Sequence, residues 1–312
     1  MNYNKVPIII FFFRRNHVYQ VIEQVKKYRP SKLYLVADGG RNHDEHLECL
    51  ATRNHVDKMI DWDCDVIRFY KEANLGVDVI IPQTITEIFK IEEQLIILED
   101  DVVADPSFFE YVEILLDKYR YEEKIMNICG TNWFDHIKFT NKSYFYTYNL
   151  EGYGWGTWRR AWNKYEHHMD SFEDKTIRNK VQGLFHDKFL ALKYFDLFKS
   201  HYIKVQEKDW KNSHWDGKWL FSCIIHGGLS VIPNVNLVTN IGFDKSATHT
   251  KDTDSIMANK QRKNIDFPLK INSDFNANLR YDYLYANKIL GFSKAFFHFS
   301  KLKNFIKKIL VK

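Results

Sequence analysis

Short, wholly apolar runs alternate with amphipathic stretches through the first third of the chain. Val6–Phe13 is apolar from end to end, which predicts a strand buried on both faces. Val18, Val21, Ile22 and Val25 recur at helical spacing and predict a helix over Val18–Tyr28. A second strand follows at Leu33–Ala37, closed by Asp38-Gly39-Gly40. Next come a polar helix near Asp44–Asn54, a strand at Val66–Tyr70 and a turn at Asn74-Leu75-Gly76 into a helix over Val79–Ile91. The strand Gln94–Leu98 runs straight into Glu99-Asp100-Asp101. Asp105 reads as an N-cap and Pro106 as a first helical residue, with Phe108, Phe109, Val112 and Leu115 as the buried stripe. Ile125–Cys129 and Leu229–Pro233 read as later strands. Residues 131–162, rich in Tyr, Trp and Gly, are expected to form loops and short strands over the sheet edge. Residues 170–210 read as polar helix, and Asn234–His249 lacks helical periodicity.

This alternation predicts an α/β fold with a mostly parallel central sheet and helices on both faces. Such sheets bind ligands outside the carboxyl ends of their strands. Arg14, Asp38 and Asp101 each sit just past a predicted strand, so one crevice can gather all three. With no internal repeat and no low-complexity linker, the pattern predicts one domain over residues 1–270 and a helical extension over 271–312.

Charge changes the picture only at the C-terminus. Residues 292–312 hold six lysines and no acid, and removing them from the net charge of +5 leaves −1. A near-neutral body argues against nucleic acid, which needs basic surface spread over the fold. In the same segment Phe292, Phe296, Phe299, Leu302, Phe305, Ile306, Ile309 and Leu310 share one helical face. That is the pattern of an amphipathic helix lying on an anionic membrane surface, or of one docked on the protein with its basic face in water. Cys49, Cys64, Cys129 and Cys223 form no close pair and read as buried thiols. No apolar run has membrane-spanning length, and residues 7–13 are too short for a span or a signal peptide. A cytoplasmic location, peripheral on the inner face of the membrane if the terminal helix binds lipid, is the expectation. Aromatics make up 16% of the chain, and some are expected to line a binding surface.

An acidic triplet is a weak signal as a string. Here it ends a buried strand and precedes a capped helix, so it is no solvated helix face. It is either a structural cluster or a site for a hard divalent cation, which prefers carboxylate and phosphate oxygens. Cleaving a sugar–phosphate bond leaves negative charge on a diphosphate, which a cation neutralises. A separate carboxylate must then take the acceptor's proton. Asp216, in Trp215-Asp216-Gly217-Lys218-Trp219, is the candidate, flanked by aromatics able to stack on sugar rings or packed inward beneath a surface loop. Trp155, between Gly154 and Gly156, is a candidate to sit against the donor or acceptor sugar, since glycines allow close backbone approach, with a core tryptophan the alternative. Arg159 and Arg160 are candidates for phosphate, with a structural salt bridge the alternative for at least one.

The run Ile96-Ile97-Leu98-Glu99-Asp100-Asp101, followed by Pro106-Ser107-Phe108-Phe109-Glu110-Tyr111, resembles the metal-binding segment of N-acetylglucosaminyltransferase I. More closely, the chain resembles a related group of bacterial nucleotide-diphospho-sugar transferases. Their Gly-Thr-Asn segment (Gly130–Asn132), their Gly-Trp-x-Thr-Trp-Arg-Arg-Ala-Trp segment (Gly154–Trp162), their Trp-Asp-x-x-Trp element (Trp215–Trp219) and their Asn-Ile-Gly-Phe…Ala-Thr-His-Thr element (Asn240–Thr250) appear in order over roughly residues 6–250. The resemblance implies the GT-A fold, Mn2+ or Mg2+, a UDP-sugar donor, a glycan or lipid-linked glycan acceptor, and inversion at the anomeric carbon. It implies that Arg14 and Asp38 touch the nucleotide, with Asn74 on the same donor side. Glu99 would bind the donor sugar, Asp100 the ribose or sugar, Asp101 the metal, and His249 the metal or pyrophosphate, with a packed or surface histidine the alternative for the last. Asp216 would be the base, although the eukaryotic enzyme has a second acid where this chain has Gly217. A sugar-nucleotidyltransferase is the rival enzyme, but Phe11–His17 lacks the glycine of a triphosphate loop. The retained acids, Trp-Asp element and His249 argue against a non-catalytic sugar-binding module.

Overall fold

A computed structural model describes residues 5–185, 187–210, 212–243 and 256–292. An eight-stranded sheet runs in the order β3-β2-β1-β4-β8-β6-β9-β7. Its strands are β1 (Ile8–Phe12), β2 (Lys32–Ala37), β3 (Asp65–Tyr70), β4 (Gln94–Glu99), β6 (Ile125–Cys129), β7 (Tyr144–Thr147), β8 (Trp155–Trp158) and β9 (Leu229–Pro233). β5 (Val102–Ala104) and β10 (Val238–Asn240) form a separate antiparallel pair. β3, β2, β1 and β4 are parallel, and β6 runs parallel to β9, whereas β8 and β7 run antiparallel to their neighbours. The fold is therefore α/β with a mostly parallel sheet.

The apolar runs explain the central strands. Every residue of β1 is buried, as are five of the six residues of β2. That is what a strand covered on both faces requires. β3 is the exposed edge and carries Asp65 and Arg68 accordingly. The helices are α1 (His17–Tyr28), α2 (His43–Met59), α3 (Val77–Ile88), α4 (Pro106–Lys118), α5 (Arg159–Trp162), α6 (Ile177–Leu184), α7 (Lys188–Gln206), α8 (Trp215–Ile225) and α9 (Leu279–Lys288). α1 packs with α2 and α4, while α3 packs with α8 and α8 with α6 and α7, which gives a helical layer on each face. Asp105 caps α4 as expected, its Oδ1 accepting from the Ser107 amide at 2.9 Å.

The short elements are where sequence pattern falls short. β5 and β10 are three residues each, too brief to carry a period. The Trp-Asp element, expected as a loop or sugar platform, is the first turn of α8, with Trp215 and Trp219 turned inward. Six of the eight tryptophans are buried, so the aromatic excess serves the core before any binding surface. The four cysteines are free; Cys49, Cys129 and Cys223 are buried and Cys64 is half-buried.

Residues 271–292 pack onto the body. Tyr281 of α9 stands edge-on to Phe134 at 5.6 Å, and Asp282 accepts from Thr147 and from Asn149 Nδ2. Phe292, counted with the terminal apolar stripe, meets the ring of Tyr194 at 5.6 Å. The rest of that stripe and its lysines lie outside the described residues. Among the described residues no helix is long and apolar enough to cross a membrane.

Candidate functional site

The chain leaves β1 to build β2 and β3 on one side, then returns to β4 on the other. The carboxyl ends of β1 and β4 thus flank a topological switch point, where open α/β sheets form their crevice. Phe11 of β1 is in register with Glu99 of β4, so Arg14-Arg15 and Asp100-Asp101 emerge side by side.

Glu99 is half-buried, and its carboxyl makes no hydrogen bond among the described residues. Burial, then the charges of Asp101, Asp100 and Asp216, raise its carboxyl well above the usual range. Burial and Asp101 push Asp100 up to about 7, against the opposing charge of Arg15. Asp216, exposed on the first turn of α8, thus comes close enough for its charge to act on Glu99 although more than a hundred residues separate them. Tyr153 lies between the two: burial, then Glu99, Asp101 and Asp216, raise its phenol.

Asp101 is a hub. Its carbonyl accepts from the Ile241 amide at 2.8 Å, its Oδ1 from Asn240 Nδ2 at 3.3 Å, and its Oδ2 pairs with Arg15 at 3.6 Å. Arg15 also donates to the Gly242 carbonyl at 3.2 Å. The Asn-Ile-Gly segment, far away in sequence, is thus laid directly on the acidic triplet. His249, at the far end of that motif, lies outside the described residues.

Several predicted roles change here. Arg14 turns away from the triplet to Glu48 at 3.0 Å and Glu45 at 3.4 Å on α2, and Arg15 reaches Asp101 instead. Asp38 accepts from the amides of Gly39, Leu75 and Gly76 and from Asn74 Nδ2, all at 2.8–3.0 Å. Its carboxylate organises the loop below α3, and Asn74 is part of that clamp. Trp155 is 1% exposed and stacks on Trp215 at 5.8 Å, inside the core. The close approach that Gly156 permits is to Val112 of α4, whose Cγ1 would lie 2.5 Å from an added Cβ. Arg159 donates to the carbonyls of Ile91 and Glu92, and Arg160 to those of Tyr119, Arg120 and Ile125. Both arginines thus tie loops together without touching the crevice.

The donor chemistry suits a hard cation, since the crevice offers carboxylate oxygens with excess negative charge. The protein shell is sparse: among the described residues no three His, Cys, Asp or Glu side chains converge as a preformed metal site. A cation there would be held through Asp101, with substrate phosphates and water completing its shell.

Sequence reasoning missed Arg15, Tyr153 and His201. Arg15 has the same residue type as its neighbour, and only the twist of the chain leaving β1 separates them. Tyr153 sits between Gly152 and Gly154, a flanking that marks close packing. His201 of α7 is 8% exposed, and its ring fills the space a side chain at position 217 would need. An added Cβ on Gly217 would stand 2.4 Å from His201 Nε2, so the second acid of the eukaryotic pattern has no room here.

No protein-family model matches the chain, and no curated protein sequence matches it. Among solved structures it is similar to the galactosyltransferase LgtC in complex with donor and acceptor sugar analogues, at 11% identity and a TM-score of 0.38, over 91% of this chain and 96% of that one. It is similar to a mannosyltransferase from Pyrobaculum calidifontis in complex with GDP-Man and Mn2+, at 9% identity and a TM-score of 0.37, over 72% and 69%. Mouse xyloside xylosyltransferase 1 follows at 9% identity and a TM-score of 0.34, over 70% and 81%. Likenesses this distant assign no family, and the functional reading rests on the residues of the crevice.

Proposed function

We propose that the chain is a GT-A-type glycosyltransferase that moves a sugar from a nucleoside diphosphate, UDP by the resemblance, onto a hydroxyl of a glycan or lipid-linked glycan, with a divalent cation and with inversion. The observation that carries this reading is Glu99: a half-buried carboxyl at a sheet switch point, with no side-chain hydrogen bond among the described residues and with Asp100, Asp101 and Asp216 acting on it. Concentrated acid that Arg15 relieves only in part is costly in a protein that gains nothing from it. A cation and a hydroxyl-rich ligand relieve it together.

Each residue then has a task. Asp101, fixed by Asn240, Ile241 and Arg15, would hold Mn2+ or Mg2+. When bound, the cation neutralises the charge that grows on the departing diphosphate. Glu99 accepts hydrogen bonds from the donor sugar, and Asp100 from ribose or sugar. Asp38 and Asn74 shape the nucleotide wall through the loop they clamp, Arg14 braces that wall from α2, and Trp155 supports it from the core. Asp216 takes the acceptor's proton, the acceptor oxygen bonds to the anomeric carbon, and the bond from that carbon to the phosphate oxygen breaks to release the nucleoside diphosphate. His249 keeps its proposed role at the metal or pyrophosphate, and the basic segment 292–312 its proposed role at an anionic lipid surface, on sequence pattern alone.

The decisive experiment screens nucleotide sugars for hydrolysis with and without chelator. Chelation and Asp101→Ala are each expected to lower the rate by roughly 10²–10³. Hydrolysis that survives both would overturn the reading. Nucleoside triphosphate formed from nucleotide sugar and pyrophosphate would make the protein a nucleotidyltransferase instead.

A further inference from the structure

A cavity of about 320 Å³ opens beside Asp216, lined by residues of α7, α8 and α9 and of the loop before β8. That volume lies at the lower end of the range for small-molecule sites and holds a ring or a short chain. Its walls are apolar: Leu150 from the loop before β8, Leu197 from α7, Leu220 from α8 and Leu290 beyond α9. The polar side chains of His201, His214, Asp216 and Tyr285 interrupt them. Asp216 lies at the rim and is the one carboxylate among the described lining residues. His201 is more than nine-tenths buried, and its Nδ1 has no hydrogen-bond partner among the described residues. Burial first, then His214, Lys204 and Lys218, lower that imidazole to about 4, so it is neutral at pH 7 and able to donate from one nitrogen or accept at the other.

This chemistry does not suit the donor. A diphosphate needs cations, and Lys218, the basic residue nearest in sequence, is buried on Asp78 at 2.7 Å. Asp216 lines the cavity and its charge also reaches Glu99, so a molecule in the cavity would present its reacting group to a carboxylate close to the acidic triplet. Its apolar part would meet the leucines, and a hydroxyl near His201 would answer the orphan nitrogen, a group that is costly to leave unpaired.

We infer that this cavity is the acceptor subsite, and that it takes a sugar joined to an apolar aglycone, with the aglycone against Leu150, Leu197, Leu220 and Leu290 and the sugar between His201 and Asp216. The inference rests on the glycosyltransferase reading and names the acceptor class for it. The shared chemistry is an alkyl or aryl glycoside, whether the apolar part belongs to a lipid carrier or to an aromatic alcohol.

Binding tests this without turnover. The full chain is titrated with octyl and 4-nitrophenyl glycosides of glucose, galactose and N-acetylglucosamine, kept below the critical micelle concentration, with the free sugars and octanol as controls. Intrinsic fluorescence reports on the octyl series, because Trp215 adjoins Asp216 and its ring lies against Gly152 at the cavity wall; calorimetry reports on the nitrophenyl series. At least one glycoside is expected to bind about tenfold or more tightly than its free sugar, which burial of two methylenes suffices to give. Leu197→Asp and Leu290→Asp are each expected to weaken that binding by about tenfold or more. Both positions are half-buried and lie on separate elements, and an unchanged melting temperature shows that each variant is folded. Preference for octyl assigns a lipid aglycone, and preference for nitrophenyl an aromatic one. Glycosides no tighter than free sugars, variants that bind as wild type, or octanol binding as tightly as the best glycoside would each overturn the assignment. Wild-type donor hydrolysis without acceptor, measured on the same preparation, tests the transferase reading separately: if it is present while glycoside binding is absent, only the cavity assignment falls.

Discussion

At the scale of single residues, the acidic site depends on a glycine. A Cβ added to Gly242 would stand 2.0 Å from Asp101 Oδ2, closer than any van der Waals contact. Gly242→Ala must therefore displace the carboxylate proposed to hold the cation, while the core beneath is untouched. The half-saturating Mn2+ concentration for donor hydrolysis is expected to rise about 10–100-fold, the usual cost of disturbing a group that orients a ligand. An unchanged Mn2+ titration would show that Asp101 does not hold the metal. Sequence marked Gly242 only as part of a motif. What makes it matter is the antiparallel pairing of β10 with β5, which brings Asn240 against Val102 and so the following glycine against Asp101. Nothing local announces the contact of this segment with the triplet, where Asn240 and Asp101 are 139 apart along the chain.

At the scale of elements, α8 shows how a legible signal was outweighed. Trp215 and Trp219 are four apart, the spacing of one helical face, and both are buried. Asp216 and Gly217 between them favour a loop by composition, and that preference masked the period. The same helix holds Lys218 at zero exposure, its Nζ on Asp78 of α3 at 2.7 Å and on Ser213 at 3.1 Å. Burial lowers the lysine's pKa, while the hydrogen bond and charge of Asp78 act to raise it. This pair joins α3 to α8 and sets where Asp216 stands. Lys218→Met leaves Asp78 buried without its partner and is expected to cost about 3–5 kcal/mol in denaturant unfolding. Adding Asp78→Asn removes the stranded charge and is expected to recover much of that loss. If the double variant is as unstable as the single, the pair is not what holds the two helices.

At the scale of the whole molecule, the C-terminal residues close the fold over the far edge of the sheet. Asp282 of α9 is fully buried, accepting from Thr147 of β7 and from Asn149, which itself accepts from Tyr194 of α7. Burial raises its carboxyl to about 7, against the lowering effect of those donors. Between pH 4 and 7 the folded chain keeps a proton that the unfolded chain has released. Stability from this group is thus fully present at low pH and falls as pH rises through that window, by at most about 1.4 kcal/mol per pH unit. Asp282→Asn is expected to flatten the dependence of the melting temperature on pH between 5 and 8. A slope equal to that of wild type would show that Asp282 ionises freely.

Much of this protein follows from sequence alone, because buried strands and amphipathic helices impose periods that a linear chain displays. The apolar runs of β1, β2 and β4, the capped α4 and the α/β alternation are all visible that way, and so is the acidic triplet at a strand end. Whether Arg14 or Arg15 faces the acids, whether Asp38 is free or clamped, and whether the tryptophans line a site or a core are settled only by tertiary contacts. These depend on groups distant in sequence: Glu45 and Glu48 for Arg14, the loop at 74–76 for Asp38, Val112 and Trp215 for the β8 segment. Periodicity records which side of an element is buried, but it does not record what that side meets.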